Sequence, residues 1–233
     1  MAKEKGGFWV GLAAAVFYPT TALMTRRRNE GGEWVPKTGG ALIVMNHVSH
    51  LDPVYDAVFT HKQGRVPHFL AKHSLWNVPF VGMVVKGARQ IPVYRGTADA
   101  QQSLRAAHEA LEQGLVVIIY PEGTITRDPD GWPMASRTGV ARLALEHDVP
   151  VLPAARWGTR EVYDHYRKKF RPFPRKTVVT KVGPPVDLDA YRSRPQNLAL
   201  LREVTDVLMN DVKGLLADIR QEQAPDGFYT KKA

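Results

Sequence analysis

The spacing of apolar residues changes period along the chain, and each change marks a predicted element. Ala41-Leu42-Ile43-Val44-Met45 is a short continuous apolar run, as in a strand buried on both faces. Leu115-Val116-Val117-Ile118-Ile119-Tyr120 repeats that pattern. Val66 to Leu70, Gln90 to Tyr94, Val151 to Ala155 and Thr177 to Val182 predict further strands. Helical spacing lies between them. Asp52 is read as an N-cap with Pro53 at the first helical position, and Thr97 caps a helix through Leu104, Ala107 and Leu111 to Gly114. Thr138 to His147 reads as helix, and Leu198, Leu201, Val204, Leu208, Val212, Leu215 and Ile219 keep helical spacing near the end. Strands alternating with helices predict an α/β fold, a largely parallel sheet flanked by helices.

Before the first strand, an apolar stretch from Phe8 to Met24 lies between Lys3/Lys5 and Arg26-Arg27-Arg28. It lacks a convincing small-x-small cleavage site, which disfavours a signal peptide. It is short for a span and contains Pro19, Thr20 and Thr21. A helix lying in a membrane interface fits better, with Trp9, Phe8, Phe17 and Tyr18 at the headgroup boundary and the arginines on anionic phosphates. A spanning helix and a helix packed on its own domain are the alternatives. Asn29 to Gly40 reads as a Gly-rich linker, so residues 1–34 are taken as helix and linker, and 35–233 as one domain.

Composition narrows the function. With 233 residues, 44% hydrophobic and 24% charged, the chain suits one α/β domain and excludes disorder and a polytopic membrane protein. The absence of cysteine removes disulfides, thiolate metal sites and cysteine nucleophiles. A net charge of +9 attracts polyanions: nucleic acid, anionic headgroups or phosphorylated substrates.

The chemistry gathers after predicted strands, where α/β sheets place their sites. Asn46-His47-Val48-Ser49-His50-Leu51-Asp52-Pro53 follows the first strand, and its spacing lets the Asp52 carboxylate reach the His47 imidazole. A carboxylate on one ring nitrogen fixes the tautomer and leaves the other free to accept a proton, the arrangement of a general base. Tyr120-Pro121-Glu122-Gly123-Thr124 follows a second strand; Glu122 offers an acceptor and Gly123 permits an unusual backbone angle. Ile91-Pro92-Val93-Tyr94-Arg95 sets an arginine past a third strand, and its planar fork suits a phosphate.

These segments, with Val149-Pro150-Val151-Leu152-Pro153, resemble in order the four blocks of the glycerolipid acyltransferase family, nearest its 1-acyl-sn-glycerol-3-phosphate acyltransferases. The resemblance covers residues 35–185. Asn46-His47 with Asp52 matches Asn-His-x4-Asp, and Pro121-Glu122-Gly123-Thr124 matches Pro-Glu-Gly-Thr. One departure stands out. The family continues its third block with Arg-Ser, whereas Ile125-Thr126 stand here, leaving Arg127 or Arg137 to supply that charge.

The resemblance implies a glycerol-3-phosphate acyltransferase-like fold and an acyltransferase domain over 35–233. It implies acyl transfer from acyl-CoA or an acyl carrier protein thioester, as co-substrate rather than bound cofactor, to the hydroxyl of 1-acyl-sn-glycerol 3-phosphate, making phosphatidic acid. Glycerol 3-phosphate or another lysolipid is the alternative acceptor. His47 would be the base and Asp52 its partner; Arg95, Glu122, Gly123 and Thr124 would bind substrate, with Lys72, Arg127 and Arg137 as further candidates. No metal is implied. Membrane lipid and an anionic surface are the expected partners, at the cytoplasmic face of the inner or plasma membrane.

Two rivals are weaker. His47, His50 and Asp52 lack the spacing of a dinuclear zinc hydrolase. The segment from Arg167 to Lys176 interleaves cations with Phe170 and Phe173, as a nucleic-acid surface does, but the same composition suits an anionic membrane or the phosphates of CoA.

Overall fold

The computed structural model describes Glu4, residues 6–93 and residues 97–230, with side chains for all of these but 97–103. Along the chain run α1 (Gly7–Met24), β1 (Thr25–Glu30), β2 (Ala41–Met45), α2 (Asp52–Lys62), β3 (Pro67–Lys72), α3 (Val81–Gly87) and β4 (Ile91–Val93). Then follow α4 (Thr97–Glu112), β5 (Val116–Ile119), α5 (Gly139–Glu146), β6 (Val151–Trp157), α6 (Thr159–Val162) and the short strands β7 (Tyr163–Asp164) and β8 (Lys169–Phe170). β9 (Lys176–Val182), α7 (Asp189–Arg192) and α8 (Leu198–Arg220) complete the order.

A 7-stranded sheet has the order β1-β9-β6-β2-β5-β3-β4. All its pairings are parallel except that of β6 with β9, so the sheet is largely parallel as the sequence predicts. Successive residues of a strand face opposite sides. In β2, Leu42 and Val44 enter a core under α4, α5 and α8, while Ala41, Ile43 and Met45 enter one that includes Phe59 of α2. β5 divides the same way: Val117 and Ile119 to one side, Val116 and Ile118 to the other. Burial on both faces is why these strands are continuous apolar runs.

The segment after α1 differs from its reading. Residues 25–30 are not flank and linker but an edge strand, paired parallel with β9 from Thr25↔Lys176 to Glu30↔Lys181. Its polar sequence carries no apolar alternation because the strand lies at the margin of the sheet. Arg26 and Arg28 are exposed, but Arg27 turns back and donates to Thr21 Oγ1 at 2.8 Å. α1 therefore joins the sheet directly. It packs on α2 and α3, and Tyr18 shares a 3.0 Å hydrogen bond with His61. The helix is long and apolar enough to cross a membrane, and Thr21 is its one buried residue.

Candidate active site

The carboxyl ends of β2, β5, β3 and β6 lie side by side, and the candidate residues of the site follow them. Just past β2, buried Asn46 extends the pairing with β6: its Oδ1 accepts from Arg156 N at 2.8 Å and its Nδ2 donates to Arg156 O at 3.0 Å. His47 comes next. Its backbone N–H donates to Glu122 Oε1 at 2.8 Å, and its carbonyl accepts from Thr126 N at 2.7 Å. The segment after β5 thus holds the His47 backbone on both sides.

His47 Nδ1 lies 2.8 Å from Asp52 Oδ2. The same oxygen accepts Val48 N–H at 2.7 Å and Ser49 N–H at 2.8 Å, and Oδ1 accepts from the Thr159 hydroxyl. Asp52 is therefore not the N-cap, a position taken by Leu51; it is the first helical residue, with its carboxylate turned back onto the preceding loop. Burial pushes that carboxyl up, but the His47 hydrogen bond and charge, with Arg156 and Thr159, outweigh it and hold it below its ordinary value. A permanent anion at Nδ1 keeps the proton there and leaves Nε2 as acceptor.

Tyr120 packs flat on the His47 ring. Its hydroxyl donates to Asp56, and Asp56 accepts from Arg156 Nε at 2.8 Å. Burial, then the Asp56 and Asp52 charges, push the Tyr120 phenol well above its ordinary value, so it remains a donor. Sequence reasoning missed this ion pair. Two signals were present: Asp56 follows Asp52 by one helical turn, and Arg156 is a lone cation inside an apolar strand.

The remaining candidates separate. Glu122 is buried, with Oε1 on His47 N and Oε2 accepting from Met134 N at 3.0 Å. It braces the loop, with one backbone N–H on each oxygen. Gly123 has φ +71°, and a Cβ there would stand 3.2 Å from Arg137 Nε. Arg137 thus reaches the loop of Glu122 and Gly123 while staying exposed, and Thr124 beside it is half-buried. Arg127 is exposed one residue past Thr126. Lys72 ends β3, exposed and in register with Val93 of β4. Arg95 lies outside the described residues. Among the described residues no three His, Asp or Glu side chains group as a metal site.

The basic segment is not a free loop. β7 and β8 pair as a hairpin against the loops of His47 and Glu122: Ser49 Oγ donates to Tyr163 O and Tyr166 OH to Ile125 O, both at 2.8 Å. Lys168, Lys169 and Arg171 on it are exposed.

A family model described as Acyltransferase matches residues 26–157, from the edge strand β1 to the end of β6. The chain belongs to the acyltransferase family. It is 28% identical over 134 residues to a 1-acyl-sn-glycerol-3-phosphate acyltransferase of Borreliella burgdorferi, covering 57% of this chain and 52% of that one. It is 29% identical over 164 residues to one of Limnanthes alba, covering 70% and 55%. The chain spans about half the length of these curated relatives. The crystal structure of the 1-acyl-sn-glycerophosphate (LPA) acyltransferase from Thermotoga maritima matches with TM-score 0.67 and 28% identity, over 89% of this chain and 80% of that one. Within the family's matched region lie His47, Asp52 and Glu122, which the fold brings together, and Asp56 and Arg156, which support them.

Proposed function

We propose that this family member transfers a fatty acyl group from a thioester, acyl-CoA or an acyl carrier protein, to the free hydroxyl of 1-acyl-sn-glycerol 3-phosphate, making phosphatidic acid. The observation that carries the reading is the His47–Asp52 pair at 2.8 Å, with Nδ1 committed to Asp52 at the carboxyl end of β2. His47 Nε2 takes the hydroxyl proton as the acceptor oxygen attacks the thioester carbonyl. The tetrahedral adduct collapses, the C–S bond breaks, and His47 returns the proton to the departing sulfur. Asp52 stabilises the imidazolium between these steps.

Around that centre, Arg95, Lys72 and Arg137 are the cations for the acceptor phosphate. Lys168, Lys169 and Arg171, on a hairpin bonded to both catalytic loops, suit the anionic part of the donor. The apolar helix α1, which buries only Thr21 against the rest of the chain, supports action at the cytoplasmic leaflet of a membrane, where the acceptor resides. Purified protein assayed with lysophosphatidate, glycerol 3-phosphate and other lysolipids, each against both donors, tests the reading. Transfer to lysophosphatidate ahead of the others is expected. Transfer to another lysolipid first would change the acceptor, and transfer to none would end the proposal.

A further inference from the structure

Between β3 and the end of α3 the chain exposes apolar side chains in close succession. Leu75, Val78, Phe80, Val81 and Met83 all face solvent, Phe80 at 77%. Large apolar side chains exposed in such close succession point to an interaction site. Phe80 is also held there under strain. Val81 N–H donates to Pro79 O at 2.7 Å, closing a three-residue turn in which Phe80 has φ 62° and ψ −48°. Side chains avoid that region, and such turns are rare. The turn is locked from both sides: Gly82 N–H donates to Val78 O at 2.7 Å, and a Cβ on Gly82 would collide with the Trp76 carbonyl. The fold accepts a strained backbone and leaves a phenyl ring in water.

Charge says what covers this surface. No Asp or Glu stands between Ala57 and Ala98, while Lys72, Lys86 and Arg89 are exposed. A second exposed apolar element shares this one-sided charge: α1 and its flanks carry no carboxylate between Lys5 and Asn29. By contrast α8 carries Glu203, Asp206, Asp211 and Asp218. The two surfaces also touch, since Trp9 of α1 packs so closely on Gly87 of α3 that a Cβ there would collide with the indole. Exposed apolar side chains in stretches whose only charges are cations complement an anionic lipid leaflet.

We propose that the turn from Leu75 to Met83 inserts into an anionic bilayer leaflet as a second contact beside α1, with Phe80 as its deepest side chain. The insertion holds the ends of β3 and β5, and so the loop of Glu122 that grips His47, against the lipid. This rests on the reading of the acceptor as a bilayer lipid, but its test needs no turnover.

The chain has no cysteine, so a single Cys carries a label at a chosen position. Phe80→Cys, Phe8→Cys and Leu198→Cys, each labelled with an environment-sensitive fluorophore, are mixed with phosphatidylglycerol vesicles whose acyl chains bear a quencher. Labels at 80 and 8 should shift to the blue and be quenched, and the label at 198, on α8, should stay in water. A label at 80 that stays in water while that at 8 is quenched overturns the proposal, as does failure of all three to bind. Phe80→Gly removes the ring and relieves the positive φ. Its thermal midpoint should match or exceed the parent's, while partition into these vesicles falls by at least about tenfold. Unchanged partition of a folded Phe80→Gly chain overturns the proposal, as does tight binding to a protein partner that keeps the label at 80 from lipid. Labels that read lipid in a chain without acyl transfer would sink the proposed activity and leave the insertion standing.

Discussion

Tyr120 lies nearly parallel to the imidazole of His47, with ring centroids 4.4 Å apart and planes 17° from each other. Asp52 fixes the ring's rotation through Nδ1, and the Tyr120 face blocks its tilt, so the two together set the direction of Nε2. The Tyr120 hydroxyl in turn donates to Asp56, tying the stack to the buried pair with Arg156. Tyr120→Phe keeps the stack but deprives Asp56 of a donor. It should lower stability by about 1–3 kcal/mol with turnover little changed. Tyr120→Ala removes the stack and should lower kcat as well. Equal kcat in the two variants would show that the stack does not hold His47.

The base proposed for the reaction gives the sharpest loss. His47→Ala should lower turnover by at least about 100-fold while the melting transition remains cooperative. Asp52→Asn should be less complete in its effect on chemistry. It also weakens the acceptor for Val48 and Ser49 N–H, so its melting temperature should fall where that of His47→Ala holds. A folded His47→Ala enzyme with near-parental turnover would remove the mechanism.

Acceptor grip separates four cations. A side chain that binds the phosphate equally before and during the reaction raises KM with little change in kcat. Arg95→Ala is expected to raise the acceptor KM most. Arg137→Ala should follow, since its guanidinium lies beside Gly123, and then Lys72→Ala at the end of β3. Arg127→Ala should change KM least. Steady-state kinetics on a phosphorylated acceptor ranks them, and a KM indifferent to Arg95 moves the phosphate to Arg137 or Lys72.

Glu122 makes stability depend on pH. Burial pushes its carboxyl from 4.5 to about 8, despite the N–H donors of Met134 and His47. Between those values the folded chain keeps a proton that the unfolded chain has released. The group's contribution is therefore full at low pH and falls as pH rises toward about 8. Glu122→Gln has no proton to lose. In melting curves of both proteins, taken from mildly acidic to mildly alkaline buffer, the parent's midpoint should fall relative to that of Glu122→Gln as pH rises. Parallel curves would mean that Glu122 is ionised throughout.

What the sequence made legible follows from burial. β2 and β5 stand out because both faces are covered, which forces continuous apolar runs and sets the motifs of His47 and Glu122 beyond their ends. The His47–Asp52 pair was legible because a tight turn closes it locally. β1 was not, since an edge strand of Thr-Arg-Arg-Arg-Asn-Glu owes its conformation to β9, far along the chain. Asp56 and Arg156 meet only through the fold, and their single charges say nothing of each other in sequence. The two N–H donors to Glu122 were not legible, because no local pattern joins position 122 to His47 or to Met134.

The last expectation concerns α1, and the structure changes how to test it. Removing residues 1–28 would also remove most of β1 and strip an edge from the sheet, confusing anchoring with folding. Substitution avoids this. Phe8, Leu12 and Val16 recur every four residues on one exposed side of the helix, away from the Thr21 contact with the fold. Leu12→Glu with Val16→Glu puts two charges on that stripe, and each charge resists burial among acyl chains. The double variant should keep its melting temperature, leave anionic vesicles, and lose most activity on substrate presented in a bilayer. Activity on a short-chain, water-soluble acceptor should survive, because His47, Asp52 and Glu122 are untouched. If the variant still binds vesicles and acylates bilayer substrate normally, α1 is only packing, and its apolar face answers to something other than lipid.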